Sequence, residues 1–484
     1  MRIAGLYPHV ARCAPNGEVE GLEPLGLQSV LGQAASRGHQ VELFTLLNQT
    51  EDELLKNVQK WSPDVLAVST MTPQMPEALK LTAGIKKILP DIKVVFGGYH
   101  ASVVHLATPR LVTDSLVDIW IRGEGEQTFL DVLEAFESSD NMADIAGVTL
   151  MRDGKIITSP PRPRVCNLDE LAPAWRPNFV TDLRSRGMNF PAPSEQTGFA
   201  SIEHSRGCLG DCKFCASPGV IGRSVSFRSP DRVIEEIRYL SEEMGVNTFF
   251  FTDLDFIQRG KSNQDKVEKL LDKLSQLDTP VWWECMGRIR SISDTGNYAL
   301  LEKMYRAGCR KIGWGIESID PEILVSIGKG RHLDDETYQV LATSENAGIF
   351  NTAFYIIGWH DFETGIGDNR ERILNQADSL PHYPIHRVRV TIGTPLPGSK
   401  FYRDCQEMGL LTTDQMEEFD TNHLVYAHPE FSDSELQELR LIIYRSFYGD
   451  EHYVRRMENM IIRHPEYRNA VTEFLNSEEM HKVC

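Results

Sequence analysis

The 484-residue sequence has no long hydrophobic run, no excess of basic residues and no regular cysteine pattern. No apolar segment approaches the roughly 18 residues of a membrane-spanning helix, and the opening MRIAGLYPHV does not have the form of a signal peptide. With 50 basic against 69 acidic residues, the net charge of −19 argues against a nucleic-acid partner or an anionic membrane surface. We therefore expect a cytoplasmic protein that binds neither nucleic acid nor membranes.

The nine cysteines, an odd number at irregular spacing, favour reduced thiols and a metal site over a disulfide framework. Internal repeats and low-complexity tracts are also absent. What remains is ordinary globular composition, 41% hydrophobic and 25% charged, in a chain long enough for two or three domains.

Residues 1–145 alternate between short apolar runs and helical patterns. This alternation predicts parallel strands and a doubly wound, Rossmann-like α/β domain. A ligand of such a sheet binds beyond the carboxyl ends of the strands. The segments expected at those ends are YPHV, STMTP, GGYHAS and RGEGE.

Three further regions follow this domain. Residues 146–198 read as a hairpin, with its turn at Asp153-Gly154, and a Pro-rich linker. Residues 199–400 contain six strand–helix units, too few for a closed eight-stranded barrel, and predict a partial (β/α)6 barrel with its active site at the carboxyl ends of the strands. Residues 401–484 read as a mostly helical domain, including the segment TTDQMEEFD.

Three cysteines, Cys208, Cys212 and Cys215, fall in RGCLGDCKFC at the carboxyl end of the first predicted barrel strand. A structural zinc site would need a fourth ligand, for which His204 is the nearest candidate. A [4Fe–4S] cluster held by three thiolates would leave one iron open for catalysis. The residue types alone leave the cluster, zinc and incidental thiols as alternatives.

The C-x3-C-x2-C spacing resembles the signature of the radical S-adenosylmethionine superfamily. The resemblance implies that the three cysteines ligate a [4Fe–4S] cluster whose open iron binds S-adenosylmethionine, with Phe214 beside it. An electron from the cluster then cleaves S-adenosylmethionine to a 5′-deoxyadenosyl radical. It also implies an external electron donor of the flavodoxin or ferredoxin type.

Further S-adenosylmethionine contacts are implied by the same resemblance. FFFTDLDF resembles the second barrel strand of the family, MGRIR the third and GWGIES the fourth. They offer Asp253 or Asp255, Arg288 and Glu317 as ligands of bound S-adenosylmethionine. The alternative for each residue is a salt bridge at the rim of the barrel.

An α/β domain placed before such a barrel resembles the cobalamin (B12)-dependent radical S-adenosylmethionine enzyme family. Three kinds of residue at the strand ends are candidates for binding cobalamin. Glycines after a strand let a bulky ligand approach the backbone, and hydroxyl side chains can contact its nucleotide tail. Glutamates can accept hydrogen bonds from the corrin amides, or they can instead cap a helix. The cobalamin-binding candidates are Tyr7, His9, Ser69, Thr70, Thr72, Gly97, Gly98, His100, Glu124 and Glu126.

The cobalamin motif Asp-x-His-x-x-Gly is absent from the sequence. The branch in question commonly lacks it too, so its absence leaves cobalamin possible but the lower ligand of cobalt open. His100 is a candidate for that ligand, with a hydrogen-bonding role as the alternative.

Two reactions fit the resemblance. The first is methylation of an unactivated carbon of a small-molecule substrate, which we favour. The second is a cobalamin-dependent cyclisation or rearrangement without methyl transfer. A non-catalytic cobalamin carrier is disfavoured by the three-cysteine loop, and methylthio transfer by the lack of further cluster cysteines. No segment of the sequence names the substrate.

Overall fold

A computed structural model of the chain describes residues 1–8, 23–46, 49–138, 140–175, 197–330 and 334–475. The chain divides into two compact units. The first unit comprises Met1–Thr181, Cys215–Gly222 and Pro395–Asp420, and the second comprises Asp182–Phe214, Arg223–Thr394 and Thr421–Cys484. No helix among the described residues has the length and apolar character that crossing a membrane requires.

The first unit is built on a seven-stranded sheet. Its strands are β1 Arg2–Tyr7, β2 Gln40–Thr45, β3 Val65–Ser69, β4 Lys93–Gly97, β5 Ile119–Ile121, β6 Val148–Arg152 and β7 Lys155–Thr158. They lie in the order β2-β1-β3-β4-β5-β6-β7, and β1 to β5 are parallel. The helices of this unit are Leu25–Ser36, Glu51–Trp61, Met75–Ile88, Tyr99–Ala107, Pro109–Thr113, Glu126–Ser138, Ser217–Ile221 and Lys400–Glu407.

Helices cover both faces of this sheet, so its central strands are apolar throughout. Leu66 and Val68 of β3 pack into one hydrophobic cluster, whereas Val65 and Ala67 pack into another on the opposite face. Alternate residues of a strand point to opposite faces, and both faces are buried here, which is why the strand reads as a continuous hydrophobic run. The predicted doubly wound α/β domain is confirmed.

The hairpin that the sequence analysis placed in a linker forms the last two strands of this sheet. β6 pairs antiparallel with β5 and with β7. The turn lies at Asp153 and Gly154, as expected, and both have positive φ, 49° and 74°. Two successive positive φ values suit a two-residue hairpin turn, because its twist matches that of the strands.

The second unit contains a six-stranded parallel sheet. Its strands are β8 Phe199–Ile202, β9 Thr248–Phe251, β10 Trp282–Gly287, β11 Cys309–Glu317, β12 Phe350–Ile357 and β13 Arg387–Ile392. Each strand pairs with its neighbours in the sequence, which confirms the partial (β/α)6 barrel. Its helices are Pro230–Glu242, Lys261–Leu274, Ile289–Ser293, Ala299–Arg306, Pro321–Ser326, Asp334–Ala347, Arg370–Ser379, Asp433–Gly449, Glu451–Arg463 and Arg468–Leu475. Two-residue strands also pair, Ser205–Arg206 with Ser226–Phe227 and His360–Asp361 with Ile366–Gly367.

A C-terminal helix provides hydrogen-bond partners for the backbone groups at the edge of this open barrel. Among the described strands, β13 pairs only with β12, and the N–H and C=O groups of Val388 and Val390 point away from the sheet. Tyr444 of helix Asp433–Gly449 accepts from the N–H of Val390 at 3.1 Å, and Tyr448 accepts from that of Val388 at 3.3 Å. Each hydroxyl also lies within hydrogen-bond distance of the carbonyl of the same valine.

The C-terminal region after residue 400 is divided between the units. Residues up to Asp420 pack with the first unit and those from Thr421 with the second. The segment TTDQMEEFD, predicted as helical, contains only a 3-10 turn over Met416–Glu418. The helices beyond Ser432 confirm the mostly helical character of the remainder.

Candidate cluster and cofactor sites

The three-cysteine loop follows β8 at the carboxyl end of the barrel, where the sequence placed it. Cys208 and Cys212 belong to the second unit, and Cys215 to the first. Phe214 is partly buried in the same loop. Within the described ranges, no three side chains drawn from His, Cys, Asp and Glu are arranged to hold a metal ion. The role of the cysteines as cluster ligands therefore stays a prediction.

Arg288 lies against two of these cysteines. It follows β10, and its guanidinium donates to Cys208 Sγ at 3.7 Å and to Cys212 Sγ at 3.9 Å. Burial by itself lowers the pKa of Arg288, but the Cys212 and Cys208 thiols raise it above its usual value. A side chain that the sequence assigned to S-adenosylmethionine thus contacts the cysteine loop itself.

The backbone of the loop adds a second donor and leaves no room for a side chain. The N–H of Gly210 donates to Cys208 Sγ at 3.3 Å, and a Cβ on Gly210 would overlap the guanidinium of Arg288. Thiols, a buried guanidinium and a close backbone N–H are the groups that an anionic iron–sulfur cluster would contact. The described residues therefore fit such a group.

Asp253 and Asp255 follow β9 and are both buried. Asp253 accepts from the backbone N–H of His204 at 3.0 Å and from that of Ser205 at 2.6 Å. Asp255 accepts from the hydroxyl of Ser291 at 2.6 Å. Burial raises the pKa of both carboxyls, that of Asp253 to about 7. Asp253 therefore fixes the start of the segment that leads to Cys208.

Glu317 ends β11 with a φ of 67°, an uncommon conformation for a residue other than glycine. Its carboxylate forms an ion pair with Lys329 at 2.9 Å, and both side chains are buried. Lys329 Nζ also donates to the carbonyl of Gly315 at 2.8 Å. The sequence analysis missed Lys329, although the glycines on either side of it indicate a tight loop. The predicted rim salt bridge is present at Glu317.

His204, the candidate fourth zinc ligand, is fully buried between the rings of Phe227 and Phe256. Neither of its ring nitrogens has a hydrogen-bond partner among the described residues. Burial lowers the pKa of His204 to about 3, so the ring is neutral. Its aromatic surroundings account for the histidine as a core residue.

The carboxyl edge of the first unit contains a close approach between two strand ends. Gly98, after β4, has a φ of 93°, and a Cβ there would lie 2.6 Å from the carbonyl oxygen of Thr70 and 3.0 Å from Ser69 Oγ. Gly97 ends β4 beside it. The buried Thr70 Oγ1 has no hydrogen-bond partner among the described residues. Gly98 is therefore required by the close packing of Thr70, whereas the space beside Gly97 and the unsatisfied hydroxyl of Thr70 fit a polar ligand at this edge.

His100 lies in the first turn of helix Tyr99–Ala107 rather than in a loop. Its Nδ1 is 3.0 Å from Thr72 Oγ1, and its Nε2 is 2.8 Å from Thr108 Oγ1. Burial lowers the pKa of His100 to about 4. The two threonines and His100 line a cavity of about 720 Å³ with Arg110 and Tyr402. Both nitrogens are engaged, which favours the hydrogen-bonding role.

The two glutamates of RGEGE have partners within the first unit. Glu126 begins a helix, is buried and accepts from Ser29 Oγ at 2.9 Å. Glu124 accepts from the N–H of Val165 at 2.6 Å and lies 3.8 Å from Arg164. These contacts hold neighbouring segments together. Tyr7 ends β1, as predicted, whereas His9 lies outside the described residues.

Comparison with known proteins identifies both halves of the chain. Residues 19–133 match the B12 binding domain, and residues 202–364 match the radical SAM superfamily. These two domain matches assign cobalamin and S-adenosylmethionine to the chain as cofactors.

Several curated proteins resemble most of the chain. An uncharacterized methyltransferase of Pyrococcus horikoshii is 27% identical over 88% of this chain and 87% of its own length. The hopanoid C-3 methylase of Methylococcus capsulatus is 29% identical over 88% of this chain and 78% of its own. The anaerobic magnesium-protoporphyrin IX monomethyl ester cyclase of Synechocystis is 26% identical over 88% and 81%.

A solved structure shares the fold. OxsB, a cobalamin-dependent S-adenosylmethionine radical enzyme solved with aqua-cobalamin and S-adenosylmethionine bound, aligns with 99% of this chain and 74% of its own. The TM-score is 0.73 at 13% identity, which shows a shared fold. With both domains matched and the fold shared along its whole length, the chain belongs to the cobalamin-dependent radical S-adenosylmethionine enzymes.

Proposed function

We propose that this enzyme methylates an unactivated carbon of a small-molecule substrate. The observation that carries the proposal is the cysteine loop at the carboxyl end of the barrel, where Arg288 contacts the thiols of Cys208 and Cys212. A buried cation beside two thiols suits a cluster with anionic sulfur ligands, and three thiolates would leave one iron of such a cluster open for catalysis.

Cys208, Cys212 and Cys215 would hold the cluster, and the chain's other residues would orient it. Arg288 and the N–H of Gly210 donate toward the cysteine sulfurs. The pair Glu317–Lys329 places one carboxylate and one ammonium at the carboxyl end of β11, suited to the amine and carboxylate of S-adenosylmethionine. Phe214, Asp253 and Asp255 remain candidates from the sequence, the two aspartates acting through the loops that they hold.

Cobalamin would lie at the carboxyl edge of the first unit's sheet. Gly97 leaves space beside the end of β4 for its approach, and Thr70 Oγ1 is a buried hydrogen-bonding group without a partner among the described residues. Ser69 ends β3, Thr72 begins the 3-10 turn that follows it, and Tyr7 ends the neighbouring strand β1. When bound, the cluster and cobalamin supply an adenosyl radical and a transferable methyl group. An external electron donor of the flavodoxin or ferredoxin type would reduce both.

The relatives favour methyl transfer but also support a second reaction. Two of those described above are named as a methyltransferase or a methylase. The resemblance to the Synechocystis cyclase supports an oxidative cyclisation without methyl transfer as the alternative. The two reactions differ in their S-adenosylmethionine products.

Anaerobic turnover of the reconstituted enzyme with a candidate substrate tests the proposal. Methyl transfer should give S-adenosylhomocysteine and 5′-deoxyadenosine in equal amounts, because one S-adenosylmethionine supplies the methyl and another the radical. 5′-Deoxyadenosine alone would contradict methyl transfer and favour the cyclisation or rearrangement.

Cysteine variants test the cluster itself. Cys212→Ala should lose iron, sulfide and 5′-deoxyadenosine formation. Cys166→Ala, at an exposed cysteine outside the loop, should keep all three. Full cleavage of S-adenosylmethionine by Cys212→Ala, or zinc in place of iron in anaerobically prepared protein, would contradict the proposal.

A further inference from the structure

We propose that Lys213 is a positioning residue of the cluster: it fixes the cysteine loop at two points, and its ion pair with Asp361 sets the charge beside the cluster. This inference rests on the proposed function, since it assumes that the cysteines hold an iron–sulfur cluster. Lys213 lies between Cys212 and Cys215, so its position determines where the flanking cysteines lie.

The first point is the backbone. The N–H of Lys213 donates to the carbonyl of Ile327 at 2.9 Å. The next residue, Gly328, has a φ of 82°, and a Cβ there would lie 2.5 Å from the carbonyl oxygen of Asp211 and 3.4 Å from Cys212 Cα. The cysteine loop therefore packs directly on the turn that follows helix Pro321–Ser326. Only a glycine permits that contact.

The second point is the side chain. Lys213 Nζ lies 2.8 Å from Asp361 Oδ2, and the side chains are 21% and 2% exposed. Asp361 is itself held in place, because it accepts from Thr364 Oγ1 at 2.8 Å and from the N–H of Glu363 at 3.1 Å. The carboxylate of Glu363, 64% exposed, lies 3.6 Å from the ammonium. Lys213 thus connects the cysteine loop to the loop that follows β12.

Two consequences follow from this arrangement. Loss of Lys213 leaves the buried Asp361 carboxylate without its counter-ion, which is strongly unfavourable, and loss of Asp361 leaves Lys213 with only the exposed carboxylate of Glu363, so the loop should shift in both cases. Loss of Lys213 also makes the surroundings of the cluster more negative, whereas loss of Asp361 makes them more positive. The added electron of a reduced cluster is stabilised by positive charge, so the two losses should move the reduction potential in opposite directions.

The test uses the full-length chain reconstituted with iron and sulfide, in the variants Lys213→Met, Lys213→Arg and Asp361→Asn. The control is Arg223→Met, because Arg223 pairs with Asp211 of the same loop at 2.9 Å but both side chains are more than half exposed. The measurements are iron and sulfide per chain, the electron paramagnetic resonance spectrum of the reduced cluster and its midpoint potential.

We expect Lys213→Met and Asp361→Asn each to retain less than half of the wild-type cluster. The potential of the cluster that remains should be more negative in Lys213→Met and more positive in Asp361→Asn. Lys213→Arg should restore both the content and the spectrum, since a guanidinium can reach the same carboxylate. Arg223→Met should match the wild type.

Full cluster content with an unchanged spectrum and potential in Lys213→Met would overturn the inference, as would shifts of the same sign in Lys213→Met and Asp361→Asn. If Lys213→Met fails to fold by circular dichroism, Asp361→Asn and Lys213→Arg carry the same test. Failure of the wild type itself to bind a cluster would instead contradict the proposed function.

Discussion

Replacing Tyr444 by phenylalanine should weaken the open edge of the barrel. Tyr444 is 4% exposed, and its hydroxyl accepts from the N–H of Val390, which is fully buried. Removing the hydroxyl leaves a buried N–H without its hydrogen-bond partner, which costs about 1–3 kcal/mol. Since the ring and its packing remain, we expect the free energy of unfolding to fall by about 1–3 kcal/mol.

The same reasoning applies to Tyr448→Phe, but the two effects should not add. The rings of Tyr444 and Tyr448 stack at 6.2 Å, and side chains in contact are coupled. Urea unfolding followed by fluorescence gives the free energy, and hydrogen exchange of a peptide covering residues 386–393 reports the edge itself. Exchange at Val390 should accelerate selectively in Tyr444→Phe.

The control is Tyr338→Phe, because Tyr338 is 51% exposed. A substitution at such a position usually changes stability by no more than about 0.5 kcal/mol. If Tyr444→Phe were no more destabilising than this control, or if exchange at Val390 were unchanged, the tyrosines would not be satisfying the strand edge.

Three further outcomes are expected. Gly328→Ala should reduce cluster retention and stability more than Gly296→Ala, because both glycines have positive φ but only at Gly328 would the added Cβ meet backbone atoms. Iron content and urea unfolding compare the two variants, and equal effects would contradict the close packing at Gly328. Burial raises the pKa of Asp368 to about 7, so the contribution of its protonated carboxyl to stability is complete below about pH 4 and is lost as the pH rises through about 7. Asp368→Asn should therefore flatten the fall in the free energy of unfolding between about pH 4 and pH 7. An unchanged slope would show that Asp368 does not have this raised pKa. Electron paramagnetic resonance of bound Co(II) cobalamin should show no nitrogen splitting from His100, since both ring nitrogens are hydrogen-bonded to threonines. Nitrogen splitting that disappears in His100→Ala would show that His100 is the lower ligand of cobalt.

The sequence predicts the architecture well because most strands of both sheets are short apolar runs between helical patterns. The barrel strands pair in sequence order, so recognising the strands is enough to give the topology. The hairpin at Asp153 and Gly154 was predicted from its turn residues, but its place in the sheet was not. Membership of a sheet depends on which edge is available, and local residues do not encode that.

The sequence predicted which residues belong to the candidate site better than it predicted the contacts between them. The spacing of the three cysteines located the loop, and MGRIR located Arg288. That Arg288 donates to the thiols depends on the length of β10 and the course of the loop, which only the fold determines. Lys329 and Lys213 escaped notice because an isolated lysine in a loop looks like any solvated charge until its partner is known.

The division of the chain into two compact units affects the order in which those units can complete their folding during synthesis. The N-terminal compact unit includes Pro395–Asp420, a stretch that leaves the ribosome only after every strand of the barrel. The seventh strand ends at Thr158, so more than two hundred further residues are translated before Pro395–Asp420 becomes available to this unit. Chaperone demand and yield should accordingly depend on this late segment, and a truncation before Pro395 should impair the part of the protein made first.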